Sequence, residues 1–62
     1  MERVEITNTS NGTKVGADVL SRSDKKIRVI IDGMADPVNL TRIDTRTPYK
    51  VSLFGVELQT RG

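Results

Sequence analysis

An all-β domain is the fold class this chain predicts, and three observations carry it. Apolar and polar residues alternate along most of the sequence, as in "KVGADV" and "KIRVI", which is the two-residue period of a half-buried strand. The alternating runs are rich in Val, Ile and Thr and are separated by Asn11-Gly12, Asp32-Gly33, Pro37 and Gly55, residue types that favour turns. No stretch keeps its apolar residues at the spacing of an amphipathic helix. Sixty-two residues make a single small β domain, 1–62. A domain of that size buries only about 60% of its unfolded surface, so its net stability is small.

Five or six short strands follow from the alternation: 2–8, 13–20, 26–32, 38–44 and 49–59, the last being two strands if the chain turns near Gly55. In the first connection, "TNTSNGTK", a two-residue loop at Asn11-Gly12 sets Glu5 opposite Asp18, two like charges. A four-residue loop, Thr9 to Gly12, instead pairs Ile6 with Val15 and Val4 with Ala17, and is preferred. The sequons at Asn8, Asn11 and Asn39 are read as turn and strand chemistry. The second connection, "SRSDKK", suits a three-residue loop from Arg22 to Asp24 that sets Val19 opposite Ile27 and Ala17 opposite Val29. It lacks glycine, which leaves Asp24 to take the left-handed backbone. The third, "DGMADP", places Pro37 at a strand start and sets Val38 and Leu40 against Ile31 and Val29. Its Asp32 and Asp36 are read as turn residues bonding local N–H groups. In "YKVSLFGVELQ" the apolar parity changes at Gly55, so a bulge or bend is expected there, with Phe54 in the core.

Two apolar residues break phase. A bulge after Val19 would turn Leu20 inward. Ile30 lies between Val29 and Ile31, which hold strict phase with Ile27, so Ile30 faces the far side of the sheet. A strand apolar on both faces is covered on both, here by the chain's own tail or by another copy. The first functional reading is therefore a non-catalytic binding or assembly module that self-associates through its sheet surface. The candidate surface is Leu20, Ile30, Met34 and Ile43, and the partner is the chain itself or another protein.

Composition excludes much chemistry. There are no cysteines and no histidines, which removes disulfides, Ser–His–Asp and Cys–His catalysis, and the usual zinc and iron–sulfur ligands. No glycine-rich phosphate loop is present. No enzyme activity, metal, cofactor or small-molecule substrate is expected. Ten Lys and Arg stand against eight Asp and Glu, a net charge of +2. The basic residues gather in two clusters: Arg22, Lys25, Lys26 and Arg28, then Arg42, Arg46 and Lys50 beside Tyr49. A nucleic-acid surface is the alternative reading, with these cations neutralising phosphates and Tyr49 as a stacking platform. Asp24 and Asp44 dilute both clusters. The architecture expected is a small, partly open barrel of the SH3-like or OB-like kind, or two packed antiparallel sheets. No apolar run nears the roughly 20 residues that span a bilayer, and the first residues lack the apolar core of a signal peptide. A cytoplasmic protein without membrane contact is expected.

Overall fold

Two asparagines shape the first turn. Asn8 Oδ1 accepts the Ser10 N–H at 2.9 Å, Asn11 Oδ1 accepts the Thr13 N–H at 2.9 Å, and Gly12 takes a φ of 75°. In the computed structural model, which describes residues 2–62, this four-residue loop joins β1 (Arg3–Asn8) to β2 (Thr13–Arg22). Val4 stands opposite Ala17 and Ile6 opposite Val15, as the sequence predicts. β3 (Lys26–Ile31), β4 (Val38–Thr41), β5 (Tyr49–Leu53) and β6 (Val56–Thr60) follow, each antiparallel to the one before. β6 returns to β1 through Thr7 opposite Gln59 and Asn8 opposite Leu58, and the Thr9 N–H donates to the Glu57 carbonyl at 3.0 Å. Among the described residues the result is a closed barrel of six strands, without a helix.

Because consecutive strands run in opposite directions, alternate connections share an end. The upper end carries residues 9–12, 32–37 and 54–55. The lower end carries residues 23–25 and 42–48, together with Glu2 and the residues after β6. Inside, Val4, Ile6, Ala17, Ile27, Val29, Ile31, Val38, Leu40 and Tyr49 form the buried core. Val15, Val19, Val51, Leu53 and Leu58 pack around it.

The registers of the middle strands differ from those expected. Ala17 stands opposite Ile31 and Val19 opposite Val29, and the β2–β3 connection is residues 23–25. A bulge lies between Val19 and Ser21, at the expected position. It does not turn Leu20 inward: Leu20 stays 44% exposed. What the bulge does is bring Arg22 opposite the core residue Ile27 at the lower mouth of the barrel, where its guanidinium meets the Glu2 carboxylate and the Gly62 carbonyl. Asp24 is not left-handed, because the connection closes by the Ser23 N–H donating to the Lys26 carbonyl at 2.7 Å. Val38 faces Val29 and Leu40 faces Ile27, two residues away from the expected pairing. Pro37 does precede β4, and Gly33 has a φ of 87° in the loop before it.

Phe54 departs furthest from expectation. β5 and β6 meet in a two-residue hairpin, with Leu53 opposite Val56 and φ of 52° and 76° at Phe54 and Gly55. Two successive positive φ values are the signature of the tight turn that matches strand twist. The hairpin reverses the chain, so both apolar sets face inward without a bulge. Phe54 itself sits on the tip, 94% exposed rather than in the core. A bulky side chain in this backbone region costs about 1–2 kcal/mol. Phe54→Asn is therefore expected to raise stability by about 1 kcal/mol, a rise in Tm of roughly 4–8 °C on thermal unfolding.

Candidate nucleic-acid interface at the lower end of the barrel

Tyr49 is the post on which the lower end is built. It begins β5, its ring is buried to 1% exposure, and its hydroxyl donates to the Ser23 carbonyl at 2.7 Å. The Arg42 guanidinium lies 4.2 Å from the ring centroid, a cation–π contact. From there Arg42 Nε donates to the Asp24 carbonyl, and the Arg42 backbone N–H donates to the Lys25 carbonyl at 2.9 Å. One tyrosine and one arginine thus clip the 23–25 turn to the segment after β4. Within that segment Asp44 Oδ1 accepts the Arg46 N–H at 2.8 Å, and the Asp44 carbonyl accepts from the Thr47 hydroxyl at 3.1 Å. Asp44 is thereby a loop former, which is a different role from diluting charge.

This clip merges the two basic clusters. Lys26 stands opposite Thr41, and Thr41 opposite Lys50, so both lysines share the outer face in one row across β3, β4 and β5. Arg28 lies one outward position further up β3, opposite Asn39. Lys25 and Arg46 extend the row into the loops. Arg42 is held in the clip, and Arg22 closes the barrel mouth against Glu2. Tyr49 is not a stacking platform, because its ring is covered.

Charge is segregated along the barrel axis. Of the ten Lys and Arg, seven lie at the lower end: Arg22, Lys25, Lys26, Arg42, Arg46, Lys50 and Arg61. Only Glu2, Asp24 and Asp44 of the eight Asp and Glu accompany them. Among the described residues, Lys25, Lys26, Arg28, Arg46, Lys50 and Arg61 are in no ion pair with a carboxylate. The paired acids are mostly elsewhere. Arg3 reaches from β1 across β2, donating to Asp18 at 2.7 Å and to Asp32 at 2.6 and 3.2 Å. It passes over Gly16, where an added Cβ would meet Asp32 Oδ2 at 2.9 Å and the Arg3 guanidinium closer still. Hydrogen bonds to Asp32 first and Asp18 second push the Arg3 pKa above its ordinary value. Asp32 is therefore the acceptor for a distant arginine and not the local turn residue the sequence suggested.

Between β4 and β5 the ladder is reduced to Thr41 opposite Lys50, and the chain after β4 leaves a groove there. The groove, of about 320 Å³, is lined by Thr41, Arg42, Ile43, Thr47, Pro48 and Lys50. Ile43 on its wall is 84% exposed. A second depression of about 280 Å³ lies beyond Pro48, between β1 and β6. The Glu5 carboxylate on its wall makes it the poorer site for an anion.

Of the four residues expected to form one apolar surface, Leu20 and Ile30 share the outer face of β2 and β3, while Met34 and Ile43 lie at opposite ends of the barrel. Met34 is in the upper loop after β3, and Ile43 follows β4 at the lower end. Val29 and Ile31 are buried, and Ile30 is half-buried on the outer side, opposite Asp18. Leu20 shares that outer side with Asp18 and Arg28 near it.

The fold and this end of it define a small all-β barrel with one cationic mouth. No family model, curated protein or solved structure matches the chain. Among the described residues, no helix is long and apolar enough to cross a membrane. The union of the two clusters had a signal in the sequence: in a meander, the second and fourth connections fall at the same end, and both are basic.

Proposed function

We propose that this chain is a non-catalytic binding module of the cytoplasm, a small barrel used in the manner of SH3-like domains, whose lower end grips the phosphate backbone of a nucleic acid. The observation that carries the reading is the convergence of seven basic residues on one end, six of them in no ion pair among the described residues, beside an open groove lined by Arg42 and Lys50. Unpaired cations on a rigid sheet face displace the counterions condensed on the phosphates, and their release drives binding. The rigidity comes from the Tyr49–Arg42 clip, which fixes both loops against the core. No exposed aromatic accompanies these cations, so base stacking does not contribute, and affinity depends little on sequence.

The test is a fluorescence-anisotropy titration of a mixed-sequence oligonucleotide at salt concentrations between 20 and 200 mM. A linear fall of log K with log salt is expected, with a slope of roughly −3 to −5 for four to five phosphate contacts. Absence of binding at the lowest salt would refute the proposal.

A further inference from the structure

The barrel presents one feature that phosphate binding leaves unused. Phe54 stands on the upper hairpin tip, 94% exposed, in a left-handed backbone that Asn or Gly would occupy without strain. Strain of this kind clusters at functional sites. The other strongly exposed apolar residue is Ile43 at 84%, and it lines the groove at the opposite end of β5, beside Pro48. The two ends also differ in charge. At the upper end Asp36 and Glu57 stand against Lys14, with Asp32 paired to Arg3, while the groove at the lower end is flanked by Arg42 and Lys50.

We propose that a second copy of this chain seats its Phe54 tip in the Ile43–Pro48 groove of the first, so that molecules associate head to tail. An apolar knob among acids then meets an apolar-walled groove among bases, and the opposite fields orient the approach. Such a contact is heterologous: each copy offers a tip at one end and a groove at the other, so the association does not close at two. The knob and groove are small beside a standard interface of about 1,600 Å², so association is weak and belongs at high protein concentration or on a shared scaffold. A nucleic acid lying in the same groove excludes the tip. The inference does not require nucleic-acid binding, since it rests on the tip, the groove wall and the charge asymmetry.

The absence of cysteine allows a direct test. Two single variants that leave Phe54 and Ile43 in place, Ser52→Cys beside the tip and Thr41→Cys on the groove wall, both exposed positions, are prepared separately, mixed at high concentration and mildly oxidised. The expected product is the mixed disulfide, well in excess of either homodimer, and its yield falls with salt. A predominance of the Ser52→Cys homodimer would mean a symmetric tip-to-tip contact and would overturn the proposal. So would statistical yields of all three species. Light scattering supplies the second arm. The parent chain gains apparent mass with concentration, and Phe54→Asn remains folded, with its higher Tm, while the gain disappears. An unchanged gain in Phe54→Asn removes the tip from the interface. Failure of oligonucleotide binding with a dominant mixed disulfide would retain this inference and reject the other, and the reverse result would do the opposite.

Discussion

Tyr49→Ala is expected to remove half or more of the chain's stability. Replacing a large buried aromatic by alanine costs about 3–5 kcal/mol, and a domain of this length has roughly 3–9 kcal/mol in total. Tyr49 adds to its volume a function no other core residue has, because its hydroxyl donates to the Ser23 carbonyl and its ring carries Arg42. Tyr49→Phe separates the two roles. It keeps the volume and the cation–π face but leaves the Ser23 carbonyl without its donor, at a cost of about 1 kcal/mol. Urea unfolding followed by circular dichroism checks both values. Amide exchange in residues 23–26 checks the more specific consequence, which is faster opening of the basic turn in Tyr49→Phe while the amides of β1 keep their protection.

The second large effect is on binding. Lys25→Ala, Lys26→Ala and Lys50→Ala together remove three unpaired cations that lie outside the Tyr49–Arg42 clip. Their loss is expected to reduce the salt slope by about three and to weaken oligonucleotide binding about tenfold per lost contact at 50 mM salt. All three side chains are exposed or on the outer sheet face, so Tm is expected to move little. Replacing Arg3 and Lys14, which sit in ion pairs and are not among the lower-end cations, provides the control. Compared per charge removed, a much smaller change in slope is expected. Equal changes per charge would mean that net charge alone attracts the ligand and that the lower end has no special role.

The strands were legible because alternation reports a half-buried surface directly, and each of the six lies where a run of alternating residues lies. The first turn was legible down to its register, since like charges at Glu5 and Asp18 disfavoured the competing loop. The registers around β3 were not. A slip of two residues leaves every inward side chain facing inward, so the pattern of Ile27, Val29 and Ile31 is satisfied equally by either pairing. The choice was made by loop closure and by the bulge at Leu20, neither of which leaves a mark in hydropathy. Phe54 misled through its size. Read as a core residue it implied a bulge at Gly55, whereas the apolar parity of Leu53 and Val56 on either side already fits a two-residue hairpin. The basic residues were legible as two groups by proximity in sequence. Their merger depended on the order of strands, and the role of Tyr49 depended on where its hydroxyl found a partner.

The seam between β1 and β6 determines how the barrel comes into being. Every other strand pair joins neighbours in sequence through connections of two to seven residues, so those hairpins form with little loss of chain freedom. The seam joins Thr7 to Gln59, nearly the whole chain apart. Closing a loop of that length costs about 3–4 kcal/mol in chain entropy. Against that stand two register pairs and the Thr9–Glu57 contacts, which is little local reward. Loop entropy therefore predicts that the local hairpins form first and that the docking of β1 on β6 closes the barrel last, an order that φ-value analysis of the β1–β6 contacts would test. Until that docking, two strand edges stand unpaired. The interval before closure, more than the finished molecule, is when the chain is exposed to edge-to-edge aggregation.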